Sequence, residues 1–259
     1  MSKALLAVSF GTSFPETRHR TIDAIEETLS AAFPDRRLYR AWTSRRILKK
    51  LRERDGVCFD DLEQALGRMA ADGVTDLLVQ PTFLLTGVET KLTRKTLEEW
   101  RGRFETVALG QPLLTCGADV EELAKALEER YGAIGENEML ALMGHGSEEA
   151  EFDPYMLLGA VFARDGYEHF KVGTVEFAPG FAPVLQAVRE KHPAKVTLAP
   201  LMVVAGDHAN NDMAGNDEDS WKSMLEREGT RVACVLEGLG EIPGVRELYA
   251  RRAAKAALI

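Results

Sequence analysis

Cysteine is scarce in this chain of 259 residues: Cys58, Cys116 and Cys234 stand far apart and form no C-x-x-C pair. That argues against a cysteine-based metal site and for a reducing compartment. No apolar run approaches the length of a membrane span, and the stretch between Lys3 and Gly11 is too short for the core of a signal peptide. The expectation is a cytoplasmic protein with no membrane partner. Positive charge is not in excess either; a net charge of −9 argues against a general nucleic-acid binder. There is no G-x-x-x-x-G-K-[ST] phosphate loop and no G-x-G-x-x-G fingerprint, so neither ATP nor a dinucleotide is implied. Ser9, Ser13 and Ser147 lack a G-x-S-x-G elbow, which argues against a hydrolase triad.

What is there reads as an ordinary globular chain. Hydrophobic residues make up 45% and charged residues 28%, enough apolar content for one large or two moderate cores and too much for extensive disorder. Short apolar runs alternate with helical periodicities. Strands are predicted at 4–10, 38–42, 76–85, 106–109, 139–143, 171–175, 196–204 and 231–236. Helices are predicted from Pro15 onward and over 45–54, 59–71, 91–104, 120–131, 154–163, 181–191, 219–228 and 245–257. This alternation predicts an α/β fold of two similar, doubly wound domains with mainly parallel sheets. With no proline- or serine-rich linker, the join is placed at Gly132 to Asn137. That makes 1–132 an N-terminal domain and 133–259 a C-terminal one, the ends of both sheets facing one cleft.

The chemistry gathers at strand ends, where open α/β sheets bind ligands. One apolar run closes on Gly144-His145-Gly146-Ser147, another on Ala205-Gly206-Asp207-His208, and between them Gly173-Thr174-Val175 leads to Glu176. Two imidazoles and a carboxylate make an N₂O set suited to divalent iron, cobalt, nickel or zinc with open positions for a substrate. Each residue alone also has a plain structural role: a hydrogen-bonding histidine, or a solvated acid at a helix start. Asp207 is placed to orient an imidazole, or is simply a turn residue.

An internal comparison adds weight. Leu6 to Thr12 lies over Leu140 to Ser147 with Phe10 on His145, and Pro81 to Glu89 lies ungapped over Pro200 to His208 with Glu89 on His208. Duplication of this kind makes the second half the metal side and gives it no histidine counterparts in the first. Gly11-Thr12-Ser13 opens a helix and is fit either to bind an anionic group through backbone N–H donors or to cap. The basic helix from Arg45 to Arg54, with Lys91, Arg94 and Lys95, is a solvated face or a guide for an acidic substrate.

The segments Ser9–Ser13 (S-F-G-T-S), Met143–Gly146 (M-G-H-G), Pro200–Ala214 (P-L-M-V-V-A-G-D-H-A-N-N-D-M-A), Asp219–Lys222 (D-S-W-K) and Gly238–Glu241 (G-L-G-E) resemble the anaerobic cobaltochelatases of the cobalamin pathway. These are ATP-independent, class II chelatases, grouped with protoporphyrin ferrochelatase. The resemblance implies insertion of Co²⁺ into sirohydrochlorin, a polycarboxylate tetrapyrrole, with the divalent metal as substrate and with no nucleotide or organic cofactor. It places the metal set on His145, Glu176 and His208, and an acidic residue of the facing lobe on Glu89. His145 and Glu89 are then the candidates for taking the pyrrole protons, and Phe10, Gly11, Thr12, Ser13, Arg54 and Glu89 the candidates for binding the macrocycle. The sequence departs from the family at Phe83, where histidine is common, and at Thr90, where tyrosine is common. Insertion of Fe²⁺ for sirohaem, and a tetrapyrrole- or metal-binding protein without turnover, are the alternatives; a homo-oligomer is compatible with all three.

Overall fold

The first apolar run shows no alternation because both of its faces are covered. Strand β1 (Lys3–Ser9) has Ala4 through Val8 fully buried. Ala4, Leu6 and Val8 enter one core cluster, while Leu5 and Ala7 are buried on the opposite face. The computed structural model describes residues 2–135, 137–147 and 153–259. After β1 the chain enters a helix built of α1 (Pro15–Arg18), a π-helical turn (His19–Asp23) and α2 (Ala24–Ala32), with Pro15 in the first turn where its missing N–H costs nothing. Strand β2 (Arg37–Trp42), helices α3 (Arg45–Asp55) and α4 (Leu62–Ala71), strand β3 (Asp76–Pro81), helix α5 (Val88–Trp100) and strand β4 (Thr106–Leu109) follow. The sheet order is β2-β1-β3-β4, all parallel. Helix α4 starts three residues later than its periodicity implied, because Asp61 and Gln64 form a reciprocal capping box. It buries Leu62, Leu66 and Met69 in the cluster with β1, each contributing about 1.5–3 kcal/mol.

The second sheet repeats the plan. Helix α6 (Gly117–Tyr131) leads to β5 (Glu138–Gly144), α7 (Pro154–Arg164), β6 (Phe170–Thr174), α8 (Ala182–Lys191), β7 (Lys195–Leu201), a second π-helical turn (Ala209–Met213), α9 (Trp221–Arg227) and β8 (Arg231–Cys234). Its order, β6-β5-β7-β8, matches that of the four parallel strands of the first. The match extends to register: Val8 pairs with Pro81 and Met143 with Pro200. Gly110 N–H donates to the Val79 carbonyl as Val235 does to Leu198, and Leu113 donates to Phe83 as Leu239 does to Met202. The ungapped alignment of Pro81–Glu89 on Pro200–His208 is therefore an equivalence of backbone positions.

Those same bonds shorten two predicted strands. The runs expected at 76–85 and 196–204 leave the sheet after Pro81 and Leu201, and their next carbonyls accept from Leu113 and Leu114, and from Leu239 and Gly240. The strand expected to reach Leu236 stops at Cys234, and α5 and α6 each begin three residues early, at Val88 and Gly117.

The chain divides into two compact units, Met1–Thr115 with Pro243–Ile259, and Cys116–Ile242. Relative to a division at 132/133, α6 counts with the second unit and the C-terminal segment with the first. The reason is visible in α10 (Pro243–Ala254): fully buried Tyr249 donates its hydroxyl to the carbonyls of Thr82 and Phe83, and Arg252 Nε donates to Leu113. A last short strand, β9 (Ala257–Leu258), then pairs antiparallel with β4. Among the described residues, no helix is long and apolar enough to cross a membrane.

Candidate metal centre

Three strand ends of the second unit build the site. His145 directly follows β5, the strand lying between β6 and β7. Beyond β6 the parallel ladder continues for two more bonds, Val175 N–H to the Gly144 carbonyl (2.9 Å) and Glu176 N–H to the His145 carbonyl (3.0 Å). Glu176 is thus tied by its backbone to the residue it must meet. The Glu176 loop is closed by Thr174, whose hydroxyl donates to the Phe177 carbonyl and accepts from Gly180 N–H (2.8 Å). His208 arrives from β7 at the start of the Ala209–Met213 turn, which fully buried Ala209 and Met213 anchor in the core.

One ligand atom from each of His145, Glu176 and His208 lies within 4.8 Å of the others. Atoms at that limiting separation are about 2.8 Å from their common centre, so shifts of under about 1 Å bring them to the ~2.0–2.2 Å of a metal bond. The two rings stand nearly perpendicular, centroids 5.1 Å apart at 81°. His145 Nδ1 lies 3.0 Å from the Gly146 carbonyl and His208 Nδ1 lies 2.9 Å from an Asp212 carboxylate oxygen. Both partners only accept, so a neutral ring making these bonds has its proton on Nδ1 and its lone pair on Nε2, available to a ligand. His145 and Glu176 are exposed and His208 half-buried, an open arrangement unlike a closed structural metal site.

Gly146 sits at φ 89°, and a Cβ there would come within 2.8 Å of the Phe177 backbone nitrogen. Its N–H donates to the Tyr155 hydroxyl (3.2 Å). Burial pushes the Tyr155 phenol up to about 12, so the group stays neutral, held beneath the His145 turn.

A cobalt chelatase (CbiK) family model matches residues 3–258. The chain belongs to that family. It is 39% identical over 249 residues to a sirohydrochlorin cobaltochelatase of Salmonella typhimurium, covering 96% of this chain and 94% of the relative. It is 30% identical to the sirohydrochlorin cobaltochelatase CbiKC of Nitratidesulfovibrio vulgaris, covering 95% and 88%. Among solved structures, SirB from Bacillus subtilis with Fe³⁺ superposes with a TM-score of 0.69 at 16% identity over 98% of this chain and 95% of that one, a likeness of fold. This chain, like its family, is a metal chelatase.

The other sequence-predicted residues, Asp207 apart, fall on the first unit of this cobalt chelatase. The backbone equivalence extends to them: Thr43 and Ser44 N–H donate to the carbonyls of Ser9 and Phe10 as Val175 and Glu176 do to Gly144 and His145. The positions matching His145, Glu176 and His208 are therefore Phe10, Ser44 and Glu89, which offer no imidazole. Phe10 is 48% exposed, a large apolar side chain left in solvent. Gly11, at φ 96°, lies against the Trp42 indole so closely that a Cβ would sit 2.6 Å from the ring. Thr12 and Ser13 are buried, and the Thr12 hydroxyl accepts from Phe14 N–H (3.3 Å). Arg54 is spent locally, on Asp55 and on the Ser13 carbonyl (2.7 Å). Glu89 opens α5 with one carboxylate oxygen buried and without a hydrogen-bond partner.

Asp207, the candidate for orienting an imidazole, is exposed, and the partner found at His208 Nδ1 is Asp212, one turn along. Sequence reasoning missed Asp212; the available signal was its i,i+4 spacing from His208.

Proposed function

We propose that this chelatase inserts Co²⁺ into sirohydrochlorin without ATP, presenting the ion on His145, Glu176 and His208. The observation that carries the reading is the gathering of those three ligand atoms within 4.8 Å, with the Nδ1 of each imidazole engaged by an acceptor. The two relatives described above act on sirohydrochlorin by name, and the family match covers residues 3–258.

In this reading the ion is a substrate. Two neutral imidazoles and a carboxylate hold it weakly enough to release it and leave coordination positions for ring nitrogens. Insertion requires two pyrrole N–H protons to leave as the metal–nitrogen bonds form. His145 is the proposed acceptor, its Nε2 lone pair coming free for a proton as the ion passes to the ring nitrogens, with Glu89 the second candidate. Phe10 and the Gly11-Thr12-Ser13 turn contribute to the macrocycle site, the aromatic ring through its exposed face. Arg54 acts there through the Ser13 carbonyl that it holds. The proposed location is the cytoplasm.

The test is an absorbance assay of purified protein with sirohydrochlorin and Co²⁺ in the absence of nucleotide. Multiple-turnover insertion is expected, unchanged by ATP or its analogues. An absolute requirement for ATP, or stoichiometric binding without turnover, overturns the proposal. An N₂O set suits Fe²⁺ almost as well, so the assay is run with both metals at equal free concentration.

A further inference from the structure

His208 and His145 are held differently. The Nδ1–H of His145 is bound by the carbonyl of the next residue, a neutral acceptor within its own turn. The Nδ1–H of His208 is bound by the carboxylate of Asp212 at 2.9 Å. Asp212 stands at i,i+4 from His208, one turn along an unusual helix. The turn from Ala209 to Met213 is π-helical, with Ala214 N–H returning to the Ala209 carbonyl. π-helical turns are rare and concentrate at functional sites. Here Ala209 and Met213 are fully buried on one side, and His208 and Asp212 project together on the other. The Asn210 side chain donates to the carbonyls of Ala205 (3.3 Å) and Gly206 (2.8 Å), fixing the start of the turn.

We infer that Asp212 is the positioning residue for His208: its carboxylate fixes the Nδ1–H tautomer, aims Nε2 at the site shared with His145 and Glu176, and raises the donor strength of that nitrogen. The inference rests on the reading of those three residues as the metal set. A carboxylate behind a ligating imidazole is a stronger electron donor than a carbonyl, so His208 becomes the firmer of the two imidazole ligands and His145 the one more easily released. That division suits a site that must let go of its ion while keeping it from diffusing away. The competing explanation is a surface pair: the His208 and Asp212 side chains are 35% and 48% exposed, and an i,i+4 contact at such exposure contributes little by itself. The two explanations differ in what happens to metal and to tautomer when Asp212 is changed.

The experiment uses the full chain without macrocycle. Co²⁺ is titrated into wild type, Asp212→Asn, Asp212→Ala and His208→Ala, following the visible absorption of the bound ion, and the His208 ring is observed by ¹⁵N NMR in the metal-free protein. Asp212→Ala is expected to weaken Co²⁺ about 10- to 100-fold and to move the ring toward the Nε2–H tautomer. Asp212→Asn keeps an oxygen that accepts from Nδ1–H, and is expected to hold the tautomer and recover most of the affinity. The inference is overturned if Asp212→Ala binds Co²⁺ within twofold of wild type, or if wild-type His208 carries its proton on Nε2. Should Asp212→Ala unfold, the wild-type tautomer and the near-isosteric Asn variant still decide. His208→Ala separates the two layers. If it abolishes binding while Asp212→Ala stays within twofold of wild type, only the positioning role falls; if it binds as well as wild type, the metal set falls with it.

Discussion

Replacing Gly146 with alanine tests whether the backbone, as distinct from the ligands, holds the metal centre together. Two penalties are expected. The first is conformational: an L-residue at φ 89° costs roughly 1–2 kcal/mol. The second is steric: the new Cβ would lie 2.8 Å from the Phe177 nitrogen and 3.2 Å from its Cβ, against backbone that can yield only by moving. Phe177 follows Glu176, so relief of the overlap pushes the carboxylate away from His145. Gly166 supplies a matched control, because it sits in the same unit at φ 90° with nothing within 4 Å of its would-be Cβ. Gly166→Ala should lose about 1–2 kcal/mol of stability and no metal affinity. Gly146→Ala should lose about 1 kcal/mol more from overpacking, and at least about tenfold in Co²⁺ affinity through the displaced ligand. Urea unfolding gives the first quantity and Co²⁺ titration of the folded variants the second. Equal stability losses in the two variants, or wild-type Co²⁺ affinity in Gly146→Ala, would refute the argument that this glycine sets the Glu176 position.

Further outcomes follow from the same geometry. His145→Ala and His208→Ala should each lose Co²⁺ binding and insertion, whereas Phe10→Ala should keep the metal; Glu89→Ala should bind Co²⁺ and insert it slowly, as single-turnover kinetics would show. If Phe10→Ala or Glu89→Ala loses metal as completely as His145→Ala, the one-sided site is wrong. Because protons compete with the ion at two imidazoles, Co²⁺ affinity should fall steadily between about pH 8 and pH 5.5 while circular dichroism is unchanged. Burial works against ionisation of Asp76, but the Arg36 fork (3.0 and 3.1 Å) and the Thr106 hydroxyl (2.9 Å) outweigh it and hold the carboxyl below the usual range. Its folded pKa is lowered, so its contribution is complete above about pH 4 and is lost as pH falls further. Asp76→Asn should cost about 1–3 kcal/mol at pH 7 in urea melts, and the gap from wild type should close in acid.

The candidate site was legible because its parts are local. A buried parallel strand is an unbroken apolar run, its end is marked by glycine, and whatever polar residue follows lies where such sheets bind ligands. Three such ends, at His145, Glu176 and His208, could therefore be read one at a time. The repeat was legible for the same reason: Pro81–Glu89 and Pro200–His208 occupy one backbone path twice. The strand ends were misjudged at Phe83–Leu85 and Met202–Val204. Apolar side chains there are needed for packing, yet the carbonyls bond to Leu113 and Leu114, or to Leu239 and Gly240, residues that no local pattern names.

The residue types, their order and the strand-end spacing sufficed for the α/β class, the duplication and the chemical character of an N₂O set. The partner of an imidazole, the place of the last helix and the loop geometry at the metal were decided only in three dimensions. Asp207 is the neighbour of His208 in sequence, but a π-helical turn with Ala209 and Met213 packed inward brings Asp212 to the ring instead. Pro243–Ala254 follows the second sheet in the chain, but the Tyr249 hydroxyl finds its acceptors at Thr82 and Phe83. Both depend on which buried groups must find hydrogen-bond partners and which apolar side chains must fill a core. Those demands are met across the folded chain and leave no mark at a fixed spacing.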